Sequence, residues 1–273
     1  MISIWISTAR SADLTIIVGF PPGGGTSSIA KMFQTELTKM GHNVIVDHKA
    51  GASGLIATRV CADKTIKNTI CLVSPSQYLK IDKEDDKIFT NLEPMFIIGH
   101  SPMVLYTSSS AKFTDLASNH KILTVGSSTR MMNFIMTQRL KKTQHTTIEY
   151  KGTGQLVLDV LGKHIEYGFS PYVAIKNTPN ITILAVGARK LFTDIALNDL
   201  ELTTGPDTIV YGFMKGQHTS LSDTMLDALK KIADDDEFKR ELWVKHSIRV
   251  EKNQSASYFE EYIRQQQLIL QSR

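Results

Sequence analysis

The sequence is poor in several features that mark specialised classes of protein. Its 273 residues include only two cysteines, eight prolines and 17 glycines, too few for a disulfide scaffold or a collagen-like fibre. No apolar run approaches the roughly 18 residues that span a bilayer. Hydrophobic residues at 42% and charged residues at 21% exclude a disordered chain. The composition therefore predicts a globular protein of one large domain or two small ones.

The chain also lacks a large excess of charge of one sign. The 31 Lys and Arg residues against 27 Asp and Glu residues give a formal net charge of +4, and no block of five or more like charges occurs. Proteins that bind nucleic acid concentrate basic residues in one stripe or patch. We therefore expect no nucleic-acid partner.

The two cysteines, Cys61 and Cys71, form no CxxC pair, and the eight histidines are scattered. Without paired His or Cys at ligand spacing, no zinc site is expected. The sequence leaves open whether the two thiols form a disulfide. Free cysteines are often buried as small hydrophobic residues, and this favours two free thiols.

The first nine residues, MISIWISTA, look like the remnant of an export signal. They lack a basic n-region and a full apolar h-region, so they do not form a signal peptide by themselves. Either the signal is truncated in this chain, or these residues belong to the mature protein.

Strand-like and helix-like segments alternate from residue 14 onward, which predicts an α/β fold with a mostly parallel sheet covered on both faces. Helical spacing of Ile29, Phe33, Leu37 and Met40 is followed by Gly41 where a C-terminal cap is expected. Two strands are predicted at 95–98 and 103–106, after which the strand–helix rhythm restarts, and the last fifty residues are helical. The first five predicted elements are 14–20, 29–40, 44–47, 55–62 and 69–73.

A glycine-rich loop, FPPGGGTSS at residues 20–28, lies between the first strand and the first helix. Glycines let a ligand approach main-chain N–H groups, and a helix N-terminus favours an anion. The loop matches neither the GxxxxGK[ST] nor the GxGxxG pattern, so no nucleotide cofactor is expected. The alternative is a plain turn in which Thr26 or Ser27 caps the helix and nothing binds.

Two later strand–loop–helix junctions have similar chemistry. In VGSSTR (125–130), hydroxyls and helix-end amides could hold a second anion, and Arg130 could grip a carboxylate through two hydrogen bonds. Capping hydroxyls and a solvated Arg130 are the alternative. The third junction is YKGTG (150–154).

In the order of these motifs, residues 13–270 resemble the Bug-type, TctC-like solute receptors of tripartite tricarboxylate transporters. Members of that family are extracytoplasmic binding proteins in which two α/β lobes close on a ligand. The stretches that carry the resemblance are 20–26, DHKAGASG at 47–54, YKGTG at 150–154 continuing through 159–169, LAV at 184–186 with Arg189, and YGF at 211–213.

The resemblance implies a two-lobed periplasmic-binding-protein fold of type II, with lobe 1 formed by 13–107 plus 217–273 and lobe 2 by 108–216. It also implies that backbone amides, hydroxyls and ordered waters hold the ligand's carboxylates, and that no cofactor or metal is needed. The candidate ligand-binding residues are Phe20, Gly23, Gly24, Gly25, Thr26, Ser27, Ser74, Ser76, Ser127, Ser128, Thr129, Arg130, Tyr150, Phe169, Ser170 and Tyr172.

Three departures from the family pattern bear on the ligand. Ser27 and Ser170 stand where the family usually has Asp, and the segment 125–133 is shorter, with Asn133 near a customary His. In amino-acid-binding members the second Asp pairs with the ligand's ammonium group. Losing two acids and gaining Arg130 makes the pocket more positive, so we expect a ligand with one or two carboxylates and no amine.

These observations predict a non-enzymatic periplasmic receptor, a monomer that delivers a small mono-, di- or tricarboxylate to the membrane permease of a tripartite tricarboxylate transporter or to a sensor kinase. One alternative is a cytoplasmic α/β enzyme that uses residues 23–26 for a phosphate-bearing substrate. Another is a structural or partner-binding pair of lobes whose cleft is occluded.

Overall fold

The computed structural model describes residues 12–79, 89, 91–108, 123–127, 145–150, 153–186 and 208–271. Among these residues it contains ten strands and six α-helices. The strands are β1 (Leu14–Val18), β2 (Val44–His48), β3 (Thr69–Val73), β4 (Leu92–Thr107), β5 (Leu123–Ser127), β6 (His145–Glu149), β7 (Tyr167–Pro171), β8 (Thr182–Val186), β9 (Thr208–Gly216) and β10 (Arg249–Val250). The helices are α1 (Gly25–Lys39), α2 (Leu55–Cys61), α3 (Thr153–Leu161), α4 (Asp223–Asp234), α5 (Asp236–His246) and α6 (Ala256–Gln271).

The strands form two parallel groups joined through β4. In the first sheet, β1 pairs in parallel with β2 and β3, and β9 lies antiparallel between β3 and the first part of β4. In the second sheet, β5 pairs in parallel with β6 and β7, and the last part of β4 is antiparallel to β7 and β8. Four of the described pairings are parallel and five are antiparallel. The prediction of a mostly parallel sheet is therefore wrong, because β4 and β9 run antiparallel to their neighbours between the two parallel groups.

Strand β4 is one continuous 16-residue strand, so the prediction of two separate strands at 95–98 and 103–106 is wrong. Its residues up to Pro102 pair with β9, and Met103 onward pair with β7 and β8. Proline usually excludes a central strand position. Here Pro102 lies where the strand leaves one sheet for the other, and register shifts occur between Pro94 and Gly99.

Strand β9 bears on the predicted lobe boundaries. It ends at Gly216, which the prediction assigns to lobe 2, yet its hydrogen-bonded neighbours β3 and β4 belong to the first sheet. Residues 109–122 and 187–207 lie outside the described part of the chain. The division into 13–107 plus 217–273 and 108–216 therefore stays a prediction.

The apolar residues form two clusters. The larger surrounds the first sheet, and Phe33, Phe96 and Phe213 are fully buried in it. The smaller lies against the second sheet and contains Val104 and Tyr106 of β4. Alternation along β4 sends neighbouring side chains to opposite faces, so one strand contributes to both clusters.

Cys61 and Cys71 form a disulfide, with a Cα–Cα distance of 6.1 Å, and the preference for two free thiols is wrong. Both side chains are buried, but Cys61 ends α2 directly beside β3, which carries Cys71. The pair is close enough to bridge because α2 packs on that strand.

A His–Glu pair lies beside the point where β4 changes sheets. Nε2 of His100 lies 2.9 Å from Oε2 of Glu251, and Nδ1 lies 3.3 Å from Oγ1 of Thr208, the first residue of β9. The hydrogen bond from His100 is the largest cause that lowers the pKa of Glu251 to about 2. The pair therefore ties β4 and the start of β9 to the C-terminal segment.

Glu251→Gln is expected to reduce the free energy of unfolding at pH 7 by about 1–2 kcal/mol, since a hydrogen bond to a charged group is lost. A lowered folded-state pKa stabilises above the unfolded-state pKa, so this contribution should fall away as the pH drops from 4.5 towards about 2. Urea unfolding across this pH range measures it. Glu260→Gln, on an exposed position of α6, serves as the control. Equal stability of Glu251→Gln and wild type at pH 7 contradicts the role of the pair.

Among the described residues, no helix is long and apolar enough to cross a membrane.

Candidate functional site

The glycine-rich loop opens directly into α1. Gly23 has φ +88°, a conformation that favours glycine. Gly24 is the N-cap residue and has no side chain to cap the helix, while Thr26 and Ser27 are already buried inside the first turn. The alternative in which Thr26 or Ser27 caps the helix is therefore wrong. The first N–H groups of α1 are left without an N-cap side chain, which is the arrangement that suits an anion.

Behind this loop, two glycines pack tightly against one buried amide. A Cβ on Gly19 would lie 2.7 Å from the Cα of Gly54, and a Cβ on Gly54 would lie 2.7 Å from the side chain of Gln77. Oε1 of Gln77 accepts a hydrogen bond from the backbone N–H of Ser74 at 3.3 Å. This packing fixes Ser74, which follows β3, beside the loop that follows β1.

The second sheet also contributes residues from the ends of its elements. Pro171 ends β7, Val173 and Ala174 follow it in a short 3-10 helix, and Thr153 and Gly154 begin α3. These five residues line the same cavity as the glycine-rich loop. The carboxyl ends of parallel strands and a helix N-terminus therefore approach the cavity from both sheets, as in open α/β folds that bind ligands there.

A third wall comes from β9 and from the end of α5. Ile209 and Tyr211 of β9 line the cavity together with Lys245 and His246. Burial raises the pKa of Tyr211, so its hydroxyl stays neutral. Nζ of Lys245 lies 3.1 Å from Oε2 of Glu241, one turn earlier in α5.

The cavity has a volume of about 550 Å³, within the range of small-molecule sites. No carboxylate is found among the lining residues that the structure describes, and Lys245 carries a positive charge there. With two helix N-termini at its edges, the cavity favours a negatively charged ligand. The lining residues are Phe20, Pro21, Pro22, Gly23, Gly24, Gly25, Thr26, Ser28, Ser74, Thr153, Gly154, Pro171, Val173, Ala174, Ile209, Tyr211, Lys245 and His246.

The structure brings together only part of the predicted set. Six candidates line the cavity: Phe20, Gly23, Gly24, Gly25, Thr26 and Ser74. Seven described candidates do not line it: Ser27, Ser76, Ser127, Tyr150, Phe169, Ser170 and Tyr172. Ser128, Thr129 and Arg130 lie outside the described residues.

Several of the candidates outside the lining have partners elsewhere. The hydroxyl of Ser27 lies 2.8 Å from Nε2 of His48, and that of Ser76 donates to the carbonyl of Ser53 at 2.8 Å. The hydroxyl of Ser170 donates to the carbonyl of Pro171 at 3.4 Å. These three hydroxyls therefore serve local structure.

The other four described candidates that do not line the cavity belong to the second sheet or lie next to it. The hydroxyl of Tyr150 donates to Oδ2 of Asp159 at 2.7 Å, and burial together with this bond raises the pKa of Tyr150 to about 12. Phe169 is fully buried in the larger apolar cluster. Tyr172 accepts backbone hydrogen bonds from residues 175 and 176 at its carbonyl. Ser127 is buried, and its Oγ has no hydrogen-bond partner among the described residues.

Sequence reasoning missed 12 of the 18 described lining residues. Thr153 and Gly154 could have been found, since they stand in the YKGTG junction before a helix. Lys245 and His246 carry no local signal, because they end an ordinary amphipathic helix more than 200 residues after Gly24.

No family model matches the chain. BugT of Bordetella pertussis is 29% identical to it over 192 residues, which are 59% of this chain and 59% of BugT. The matched stretch thus spans less than two thirds of that relative. The chain is thus similar to the Bug/TctC type of solute receptor, as the motif order predicted.

Solved structures show the same fold. The match to an R. palustris protein with adipate covers 93% of both chains, with a TM-score of 0.74 and 17% sequence identity. The match to the periplasmic binding protein BugD covers 94% of both chains, with a TM-score of 0.69 and 19% sequence identity. The predicted two-lobed α/β fold of periplasmic binding proteins is confirmed.

Proposed function

We propose that the chain is a periplasmic solute-binding protein that captures a small organic acid between two lobes and delivers it to the permease of a tripartite tricarboxylate transporter. The proposed lobes are 13–107 plus 217–273 and 108–216. Strand β9 falls in the second range but pairs with β3 and β4 of the first sheet. The receptor binds its ligand without chemical turnover.

The observation that carries this proposal is the cavity at the start of α1. An N-terminus without a side-chain cap faces a space of about 550 Å³ with no carboxylate among its described lining residues. A carboxylate accepts hydrogen bonds from backbone N–H groups there and is favoured by the partial positive charge of the helix. The start of α3 lies on the far side and offers the same chemistry from the other sheet.

Closure of the two sheets around the ligand completes the site. Neither the loop after β1 nor the start of α3 surrounds a carboxylate alone. A ligand shifts the open–closed equilibrium only by its better fit to the closed form. The closed form is the one that docks on the permease.

The ligand has one or two carboxylates and no amine. An ammonium group needs an acidic partner in a dry cleft, and the described lining offers none. One solved relative in fold holds adipate, a dicarboxylate, which agrees with this ligand class.

A thermal-shift screen against mono-, di- and tricarboxylates, amino acids and sugar phosphates tests the proposal. A ligand present at about 100 times its Kd stabilises the protein by about 2.7 kcal/mol, or about 5–10 °C for a chain of this size. We expect organic acids to give this shift and amino acids to give none. A shift with sugar phosphates alone favours the enzyme alternative, and the absence of any shift contradicts the receptor function.

A further inference from the structure

The C-terminal end of α5 lies between the two apolar clusters. Phe238 and Leu242 are buried in the larger cluster, whereas Trp243 packs against the smaller one. The next turn carries Lys245 and His246 to the cavity wall. These two side chains are thus supplied by a helix that contacts both halves of the molecule.

A hydrogen bond between the second sheet's side of the molecule and α5 holds this end of the helix in place. Nζ of Lys176, which follows the short 3-10 helix after β7, donates a hydrogen bond to the carbonyl of Val244. A cation at a helix C-terminus is favourable because the last carbonyls carry partial negative charge. Lys176 therefore positions Lys245 and His246 and does not itself line the cavity.

His246 is a buried polar side chain that lacks a partner. It is 6% exposed, it lines the cavity, and its Nε2 has no hydrogen-bond partner among the described residues. Leaving a buried polar atom unpaired costs about 1–3 kcal/mol. Buried polar groups without a protein partner are uncommon, and each calls for an explanation such as a bound water, an ion or a functional role.

The charged groups around His246 favour the binding of an anion. Lys245 and Lys176 are the charged groups that act on it, Tyr211 of β9 is neutral, and the described lining includes no carboxylate. Burial and these two lysines lower the pKa of His246 to about 4. The imidazole is therefore neutral at pH 7 and able to donate one N–H, while Lys245 supplies the charge.

We propose that Lys245 and His246 form a second anion subsite, which binds the distal carboxylate of a dicarboxylate whose first carboxylate lies at the start of α1. This inference rests on the proposed function and narrows its ligand class from organic acids to dicarboxylates. Lys245 gives up part of its ion pair with Glu241 to the ligand, and His246, whose unpaired Nε2 is buried in this structure, turns to donate to a carboxylate oxygen.

Isothermal titration calorimetry with matched ligand pairs tests the subsite: succinate with butyrate, and adipate with hexanoate. The wild type is expected to bind at least one dicarboxylate about tenfold or more tightly than its monocarboxylate partner, because charge-assisted hydrogen bonds are added. Lys245→Met should weaken the dicarboxylate about tenfold and change the monocarboxylate less than about twofold. Lys231→Met, at an exposed position of α4, is the matched control for loss of one charge.

Two further variants separate a ligand contact from a structural role. Glu241→Gln should leave dicarboxylate affinity unchanged or higher, because the Lys245 ammonium loses its competing partner. His246→Gln should also lower the dicarboxylate-to-monocarboxylate ratio, with its folded state checked by the melting temperature. A wild type without preference for the dicarboxylate, or a ratio unaltered by Lys245→Met, overturns the subsite and leaves the receptor function standing. If no acid of either kind binds the wild type, both fail.

Discussion

Gly24→Val is expected to weaken organic-acid binding by about 100-fold or more while shifting the melting temperature of the unliganded protein by less than about 3 °C. Gly24 has φ −78°, which valine tolerates, and a Cβ there would have its nearest contact at 3.6 Å, on the carbonyl of Pro21. The side chain therefore fits the fold. It covers the N–H groups of the first turn, and two lost hydrogen bonds to a charged ligand are worth about 3 kcal/mol or more.

A substitution of Gly41, at the other end of α1, should have the opposite effects: it should lower the stability and leave the ligand affinity unchanged. Gly41 has φ +89°, so Gly41→Ala should cost about 1 kcal/mol of stability through backbone strain. Because Gly41 does not line the cavity, the affinity should stay at the wild-type value. Calorimetry for the dissociation constant and thermal melts for stability measure both variants. Wild-type affinity in Gly24→Val would place the ligand away from this loop.

Removal of the disulfide is expected to reduce the free energy of unfolding by about 2–3 kcal/mol. The bond closes a loop between positions ten apart, and a loop of this size restricts the unfolded chain by about that amount. For a protein of this length the loss corresponds to about 5–10 °C in melting temperature. Cys61→Ala/Cys71→Ala, unfolded in urea beside the wild type, measures it.

Two comparisons separate the cross-link from the packing of the two buried sulfur atoms. Adding a reductant during unfolding should destabilise the wild type and leave the double variant unchanged. Ligand affinity should be the same in both proteins, since neither cysteine lines the cavity. Two free thiols found by mass spectrometry in protein folded under oxidising conditions would contradict the bridge.

Local patterns predicted most of the secondary structure. The apolar spacing and Gly41 placed the end of α1 correctly, since a glycine with positive φ follows the C-cap Met40. The alternative of a side-chain cap from Thr26 or Ser27 at the other end was wrong. A hydroxyl near a helix start caps it only when it stands at the N-cap, and Gly24 occupies that position.

The site was predicted unevenly for a physical reason. The six lining residues that were predicted all lie between β1 and the first turn of α1 or directly after β3, where glycines, hydroxyls and a following helix give a signal within a few positions. Serines in the same stretches, such as Ser27 and Ser76, have equal signal in the sequence, but their hydroxyls form hydrogen bonds with His48 and Ser53 instead. Rotation around each element decided which hydroxyls face the cavity, and that rotation depends on packing against distant residues.

The sequence by itself determined the alternation of strands and helices, the anion-favouring loop at residues 20–28 and the family order of motifs. Each of these depends on residues close together in the chain, where hydrophobic period, glycine and capping act locally. Only the tertiary structure decided that β4 runs unbroken through both sheets, that Cys61 meets Cys71, and that the end of α5 lines the cavity. Those contacts join segments that become neighbours only when both apolar clusters are buried, so no local pattern encodes them.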